Sequence, residues 1–83
     1  MNNFFKNKIV LITGGTGSFG NAMTDKLLNL SPKEIRIFSR DEKKQDDMRK
    51  NFKNKKIKFI IGDIRDQKSI EQAVIGVDYI FHA

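Results

Sequence analysis

The twelve residues Ile9-Val-Leu-Ile-Thr-Gly-Gly-Thr-Gly-Ser-Phe-Gly20 constrain this chain more than any other stretch. The apolar residues are consecutive rather than alternating, as in a strand covered on both faces. Glycines follow at 14, 17 and 20, and a helix-period segment starts directly after them. A strand, a glycine turn and a helix in that order aim bare backbone amides at one spot, with the helix dipole behind them. Such a corner suits a pyrophosphate, and hence a dinucleotide. Gly14 is expected to permit the tight turn out of the strand. Gly17 lets the backbone approach the ligand, and Gly20 lets the first helix pack closely on the strand. The amides from about Thr16 to Gly20 then face the phosphates, with the Thr16 and Ser18 hydroxyls as added donors. Gly15, Gly17 and Gly20 also satisfy the Gly-x-Gly-x-x-Gly pattern, so spacing alone is ambiguous.

The rest of the chain alternates strands with helices. Lys8 to Thr13 reads as the first strand. Phe19, Ala22, Met23, Leu27 and Leu30 share one face of the first helix, which Ser31-Pro32 stops. Glu34 to Ser39 is a second strand, and Asp41 to about Phe52 a second helix with a weak stripe at Met48 and Phe52. Ile57 to Ile61 is a third strand, Ser69 to Val74 a short third helix with Ile70, Ala73 and Val74 inward, and Val77 to His82 a fourth strand. This order implies an α/β fold with a parallel sheet, whose dinucleotide-binding form has the spatial strand order 3-2-1-4. With 83 residues there is room for one domain. The fourth strand would leave Tyr79, Ile80 and Phe81 on an open edge, which natural proteins seldom leave bare. The expectation is therefore a longer protein truncated after its fourth strand, or a second chain covering that edge.

Charge and composition narrow the partners. The net charge is +6, and Lys50, Lys53, Lys55, Lys56 and Lys58 fall within nine residues that hold no acid. A nucleic-acid patch would call for interleaved aromatics, and only Phe52 stands among these lysines. The expected reading is a solvated helix end and connector, with no nucleic-acid partner. The chain has no cysteine, no apolar run long enough for a membrane span and no apolar core of a secretion signal at Met1-Asn-Asn-Phe-Phe-Lys. A cytoplasmic protein without a membrane partner or a metal site is expected.

The end of the second strand bears on the cofactor. A site for NAD usually carries an acid there, for the ribose 2′-hydroxyl. Here the strand ends in Phe38-Ser39-Arg40, with Lys43 one turn on. A guanidinium and a hydroxyl suit a 2′-phosphate, so NADP is the expected cofactor. Asp41 and Glu42 are better explained as first-turn acids complementing the dipole of the second helix. At the end of the third strand, Asp63 could accept from the adenine amino group, whereas Asp66 suits a cap for the third helix. His82 is read as structural.

These residues carry a family resemblance. Thr13-Gly-Gly-Thr-Gly-Ser-Phe-Gly20 resembles the TGxxGxxG motif of extended short-chain dehydrogenases, which have a Rossmann-type fold. Ser39-Arg-Asp-Glu-Lys-Lys-Gln45, Gly62-Asp-Ile-Arg-Asp66 and Val77-Asp-Tyr-Ile-Phe-His-Ala83 are narrower. Together they resemble the N-terminal segment of UDP-N-acetylglucosamine 4,6-dehydratases of bacterial polysaccharide and glycan synthesis. That likeness implies that residues 1–83 form part of an NADP-binding domain without the substrate domain. It implies a pyrophosphate loop at Thr16, Gly17, Ser18 and Phe19, and 2′-phosphate and adenosine contacts from Ser39, Arg40, Asp41, Glu42, Lys43 and Lys44. It also implies adenine contacts at Asp63 and Ile64, and a nicotinamide-ribose segment beginning at Ala83. The implied activity is hydride removal from C4 of a UDP-sugar, loss of water across C5 and C6, and hydride return at C6, in a homo-oligomeric enzyme. A nucleotide-sugar epimerase or reductase of the same superfamily, or a stand-alone NADP-binding module, is the alternative. The family's tyrosine-x-x-x-lysine base is not matched: the residue four beyond Tyr79 is Ala83. No catalytic residue is therefore assigned.

Overall fold

A computed structural model describes residues 3–83. Four parallel strands form one sheet in the order β3-β2-β1-β4. The elements are β1 (Ile9–Thr13), α1 (Ser18–Leu28), β2 (Glu34–Ser39), α2 (Glu42–Phe52), β3 (Ile57–Ile61), α3 (Gln67–Ala73) and β4 (Tyr79–His82). This is the Rossmann-type order expected from the alternation of strands and helices.

The central strands β1 and β2 are covered on both faces, which β1 shows as a continuous apolar run, whereas the outer strands β3 and β4 stay partly open. Val10 and Ile12 of β1, with Ile35 and Ile37 of β2, join Leu27 of α1, Met48 of α2 and Ile57 of β3 in one buried cluster. Leu11 and Phe38 project to the other face and meet Ala73 of α3, with Ile70, Val74 and Val77 around them. Arg36 shares that second face. Its Nη1 donates to the carbonyls of Ala73 (2.8 Å) and Ile75 (2.6 Å), tying the end of α3 to β2. Asp78 clamps the entry to β4: its carboxylate accepts the Ile9 amide at 2.9 Å, and its own amide donates to the Ile9 carbonyl at 2.8 Å.

Four expectations are corrected in detail. Of the stripe expected on α1, Leu27 is buried and Met23 packs on the first cluster, whereas Phe19 (50% exposed) and Ala22 face solvent and Gly20 and Thr24 are buried in their place. Leu30 lies past the end of α1 yet still packs on the first cluster. The third helix starts at Gln67, because the Asp66 carboxylate accepts the Lys68 amide and so begins it there. The fourth strand starts at Tyr79 rather than Val77, whose amide turns back to the Val74 carbonyl at 3.0 Å.

Candidate functional site

The carboxyl ends of all four strands open on one side of the sheet. Gly14 leaves β1 with a φ of +65°, a conformation that a side chain resists. Its amide donates to the Phe38 carbonyl at 2.8 Å, and the Ala83 amide donates to the Thr13 carbonyl at 2.9 Å. The turn is thereby stitched to β2 on one side and to the end of β4 on the other. Thr13 Oγ1 lies 2.6 Å from His82 Nδ1, so the side chains at the ends of β1 and β4 are linked as well.

The glycine turn then enters α1. Gly17 is the N-cap and has no side chain to accept from the first-turn amides; no acid stands in that turn. Among the described residues, the amides of residues 15–20 donate to no carbonyl or side chain. Asn21 holds this arrangement: its Nδ2 donates to the carbonyls of Thr16 (3.2 Å) and Gly17 (2.9 Å), tying those oxygens to the helix. The uncommitted amides form a patch of positive potential at the helix N-terminus.

The glycines divide their work clearly. A Cβ on Gly17 would meet nothing within 4 Å, so no atom of this chain requires glycine there. A Cβ on Gly20 would fall 1.9 Å from the Gly15 carbonyl oxygen. Gly20 is therefore needed for close contact with the turn, not with the strand as expected. A Cβ on Gly15 would come within 3.0 Å of the Ile12 carbonyl oxygen and 3.1 Å of Ile37 Cγ2. Gly14, Gly15 and Gly20 thus each meet a different neighbour within the chain, and Gly17 meets none.

Beside the turn lies a cleft of about 390 Å³. It brings together Gly14, Ser39, Arg40, Asp63, Ile64 and Ala83, six of the residues predicted from sequence to touch one ligand. Ser39 is buried at its floor, where Gln45 Nε2 donates to its hydroxyl oxygen at 3.0 Å. Arg40 is exposed at the rim, 3.6 Å from Asp63. Asp63 receives the Arg65 side chain at 2.8 Å and the Arg65 amide at 2.9 Å. These Arg65 hydrogen bonds, with the charges of Arg65 and Arg40, pull its carboxyl down to a pKa of about 2. The group is an anionic acceptor at any ordinary pH. The adenine contact expected of it would have to share an oxygen with Arg65.

Other predicted residues lie around this cleft. Thr16 and Lys44 border a separate hollow of about 300 Å³ between α1 and α2. Asp41 caps α2, accepting the Lys44 amide at 2.9 Å, and Glu42 stands in its first turn, as the dipole argument expects. Ser39, Arg40, Asp41 and Glu42 share one shallow surface. Lys43 pairs with Asp47 at 3.4 Å along the outside of α2. Ser18 and Phe19 are exposed on the first turn of α1. Asn21, Gln45 and Arg65 shape the site and had no individual assignment from sequence. Gln45 and Arg65 sit inside the quoted motifs, but only the packed structure shows what their side chains reach.

Fold and turn define a Rossmann-type α/β protein, with its glycine loop at the carboxyl ends of the strands. The family model described as "Polysaccharide biosynthesis protein" matches residues 10–83, and the chain belongs to that family. A UDP-glucose 4-epimerase of Rickettsia akari is 59% identical over 83 residues, covering 95% of this chain and 24% of that protein. The UDP-glucose 4-epimerase of Rickettsia bellii is 60% identical with the same coverage. The chain thus spans about a quarter of the length of the curated relatives it matches. Among solved structures, Pen from Bacillus thuringiensis has a TM-score of 0.92 at 42% identity, over 96% of this chain and 25% of that one. WbmF of Bordetella bronchiseptica, solved with NAD+ and UDP, has a TM-score of 0.77 at 20% identity, over 100% of this chain and 24% of that one. That last likeness is one of fold.

Proposed function

We propose that this chain forms the adenosine and pyrophosphate half of a nicotinamide dinucleotide site, within an enzyme that modifies a UDP-sugar for polysaccharide synthesis. The observation that carries the reading is the run of uncommitted amides from residue 15 to 20 beside a glycine with open space in front of it. That is the cradle a diphosphate requires, and a Cβ at Gly17 would intrude on it. Bound there, the cofactor would supply a hydride acceptor for a sugar carbon. The chain's own residues would hold and orient its adenosine end: the amides of the turn at the diphosphate, Ser39 and Arg40 at the ribose, Asp63 and Ile64 at the adenine.

The names of the Rickettsia relatives favour a 4-epimerase as the parent activity. The likeness of Ser39 to Gln45 and of residues 62–66 to the 4,6-dehydratases supports the second reading. Both begin by oxidising the sugar at C4. Presenting UDP-glucose and UDP-N-acetylglucosamine to a protein carrying this segment with a full substrate domain separates them. Inversion at C4 without loss of water supports epimerisation, and a 4-keto-6-deoxy product supports dehydration.

NADP remains the preferred form of the cofactor in this reading. Asp41, the acid that follows Arg40 in sequence, is occupied as a helix cap, while Arg40 and Ser39 both line the cleft. Arg40→Asp is expected to weaken NADPH binding by about 2 kcal/mol or more and to leave NADH nearly unchanged. Calorimetric titration of both cofactors checks it, and equal losses would remove Arg40 from the 2′-phosphate.

A further inference from the structure

We infer that Gln45 is a positioning residue that fixes the Ser39 hydroxyl as a hydrogen-bond donor to the ligand, and so sets the preference for a 2′-phosphate. The inference rests on the dinucleotide reading above and deepens it. Gln45 sits in the first turns of α2, and its side chain is buried. Its Nε2 is surrounded by three oxygens: the Ile60 carbonyl at 2.9 Å, the Ser39 hydroxyl at 3.0 Å and the Ser39 carbonyl at 3.3 Å. Two of these are carbonyls that can only accept, so the amide nitrogen, not the oxygen, must face this group. The opposite atom, Oε1, is buried without a partner. A buried orphan acceptor carries a cost, and its retention calls for a compensating use of the amide.

The compensation falls on Ser39. Its carbonyl is also held by the Gly62 amide at 2.9 Å, which fixes the end of β2 against the β3 exit. Its hydroxyl oxygen spends a lone pair on the Gln45 amide, leaving the proton to point elsewhere. Ser39 lines the cleft beside Arg40. The Ser39 proton and the Arg40 guanidinium then stand as donors, while Asp63, the acid that also lines the cleft, is engaged by Arg65 at 2.8 and 2.9 Å. A phosphate oxygen, which only accepts, matches that set better than a ribose hydroxyl, which also needs an acceptor for its own proton. Without Gln45 the serine hydroxyl could turn inward and donate to the Ile60 carbonyl.

The test uses the 83-residue chain and two probes differing by one phosphate, adenosine 2′,5′-bisphosphate and adenosine 5′-monophosphate. Wild type should prefer the bisphosphate. Gln45→Met should reduce that preference about three- to tenfold, the scale of one neutral hydrogen bond. Ser39→Ala should reduce it comparably, and the double variant should lose no more than Ser39→Ala alone. Retained preference in Gln45→Met, or additive losses, would overturn the assignment. If Gln45→Met does not fold, the side-chain NH₂ resonances of Gln45 in the wild-type chain decide. Movement with the bisphosphate but not the monophosphate supports the assignment; equal movement, or none, overturns it. Wild type that binds neither probe overturns the dinucleotide reading, and this inference with it. Wild type that binds both equally overturns the preference alone.

Discussion

At the scale of the residue, Gly17 and Gly20 look alike in sequence and differ in what surrounds them. Gly20 faces backbone: the Gly15 carbonyl oxygen lies where its Cβ would be. That oxygen cannot swing away as the end of a flexible side chain would. Gly20→Ala should therefore destabilise the chain by about 2 kcal/mol or more, through overpacking. Gly17 faces open space and is the N-cap of α1. Serine caps helices at least as well as glycine, so Gly17→Ser should keep stability within about 0.5 kcal/mol of wild type. It should nevertheless lose dinucleotide binding, because its side chain would fill the approach and its hydroxyl would accept the amides that the diphosphate needs. Thermal unfolding read beside cofactor titration checks both. A stable Gly17→Ser variant that still binds would mean that the backbone is not closely approached.

Asp63 makes a further prediction at this scale. Its carboxyl is held at about 2, first by hydrogen bonds from the Arg65 side chain and amide. A carboxylate whose folded pKa lies below its unfolded value of about 3.9 favours the folded chain above that value. The contribution fades as pH falls from about 4 through 2, and it is absent below. In Arg65→Gln the Asp63 midpoint should rise toward the ordinary carboxylate range, as followed by its side-chain carbon resonance. An unchanged midpoint would dissolve the pairing.

At the scale of the element, α2 shows how little apolar surface a helix needs when its ends are fixed. Only Gln45 and Met48 are buried along it. Asp41 caps its start, and Lys53, at a φ of +48°, ends it with its amide on the Arg49 carbonyl. Asp41→Ala should cost about 1 kcal/mol in denaturant unfolding. Met48→Ala should cost about 2–4 kcal/mol, since it opens a cavity at the buried apolar anchor of the helix, beside the partly buried Phe52. The reverse ranking would mean that the cap, rather than the core, keeps α2 in place. α1 packs on the same first cluster through Leu27, and α3 is held through Ala73 and the Arg36 bond to its last carbonyl.

At the scale of the whole molecule, the apolar runs of β1, β2 and β3 made the sheet legible from sequence. Glu34–Ser39 and Ile57–Ile61 have the same bounds in sequence and structure. The chain's ends of elements were less legible, because they depend on side-chain capping and on contacts across the sheet. Asp66 brings α3 forward, and the turn at Val77 delays β4. The stripe on α1 was legible in Met23, Leu27 and Leu30 but not at its start, for a related reason. The 3.6-residue period says which residues share a face, but not which face the loop before the helix presents to the sheet. The cleft was legible as a set of residues, since Ser39, Arg40, Asp63 and Ala83 all follow strand ends. Its internal wiring was not, because Gln45 acts on the Ser39 hydroxyl and on the Ile60 carbonyl, which the packing of α2 on the sheet brings near. Along the outer edge of β4, Ile80 stays 55% exposed and Tyr79 partly so. An apolar strand edge of this kind invites pairing with another chain. Ile80→Lys should lower any self-association of the 83-residue chain in sedimentation velocity, without moving its unfolding midpoint by more than a few degrees.

The most direct measurement is an amide-resolved NMR titration of the 83-residue chain with NADP+. The amides of Gly15 to Gly20 should shift together and saturate, accompanied by Arg40 and the residues at the mouth of the cleft. A titration that left those six amides unmoved, or moved the lysines between residues 50 and 58 instead, would contradict the account at its root.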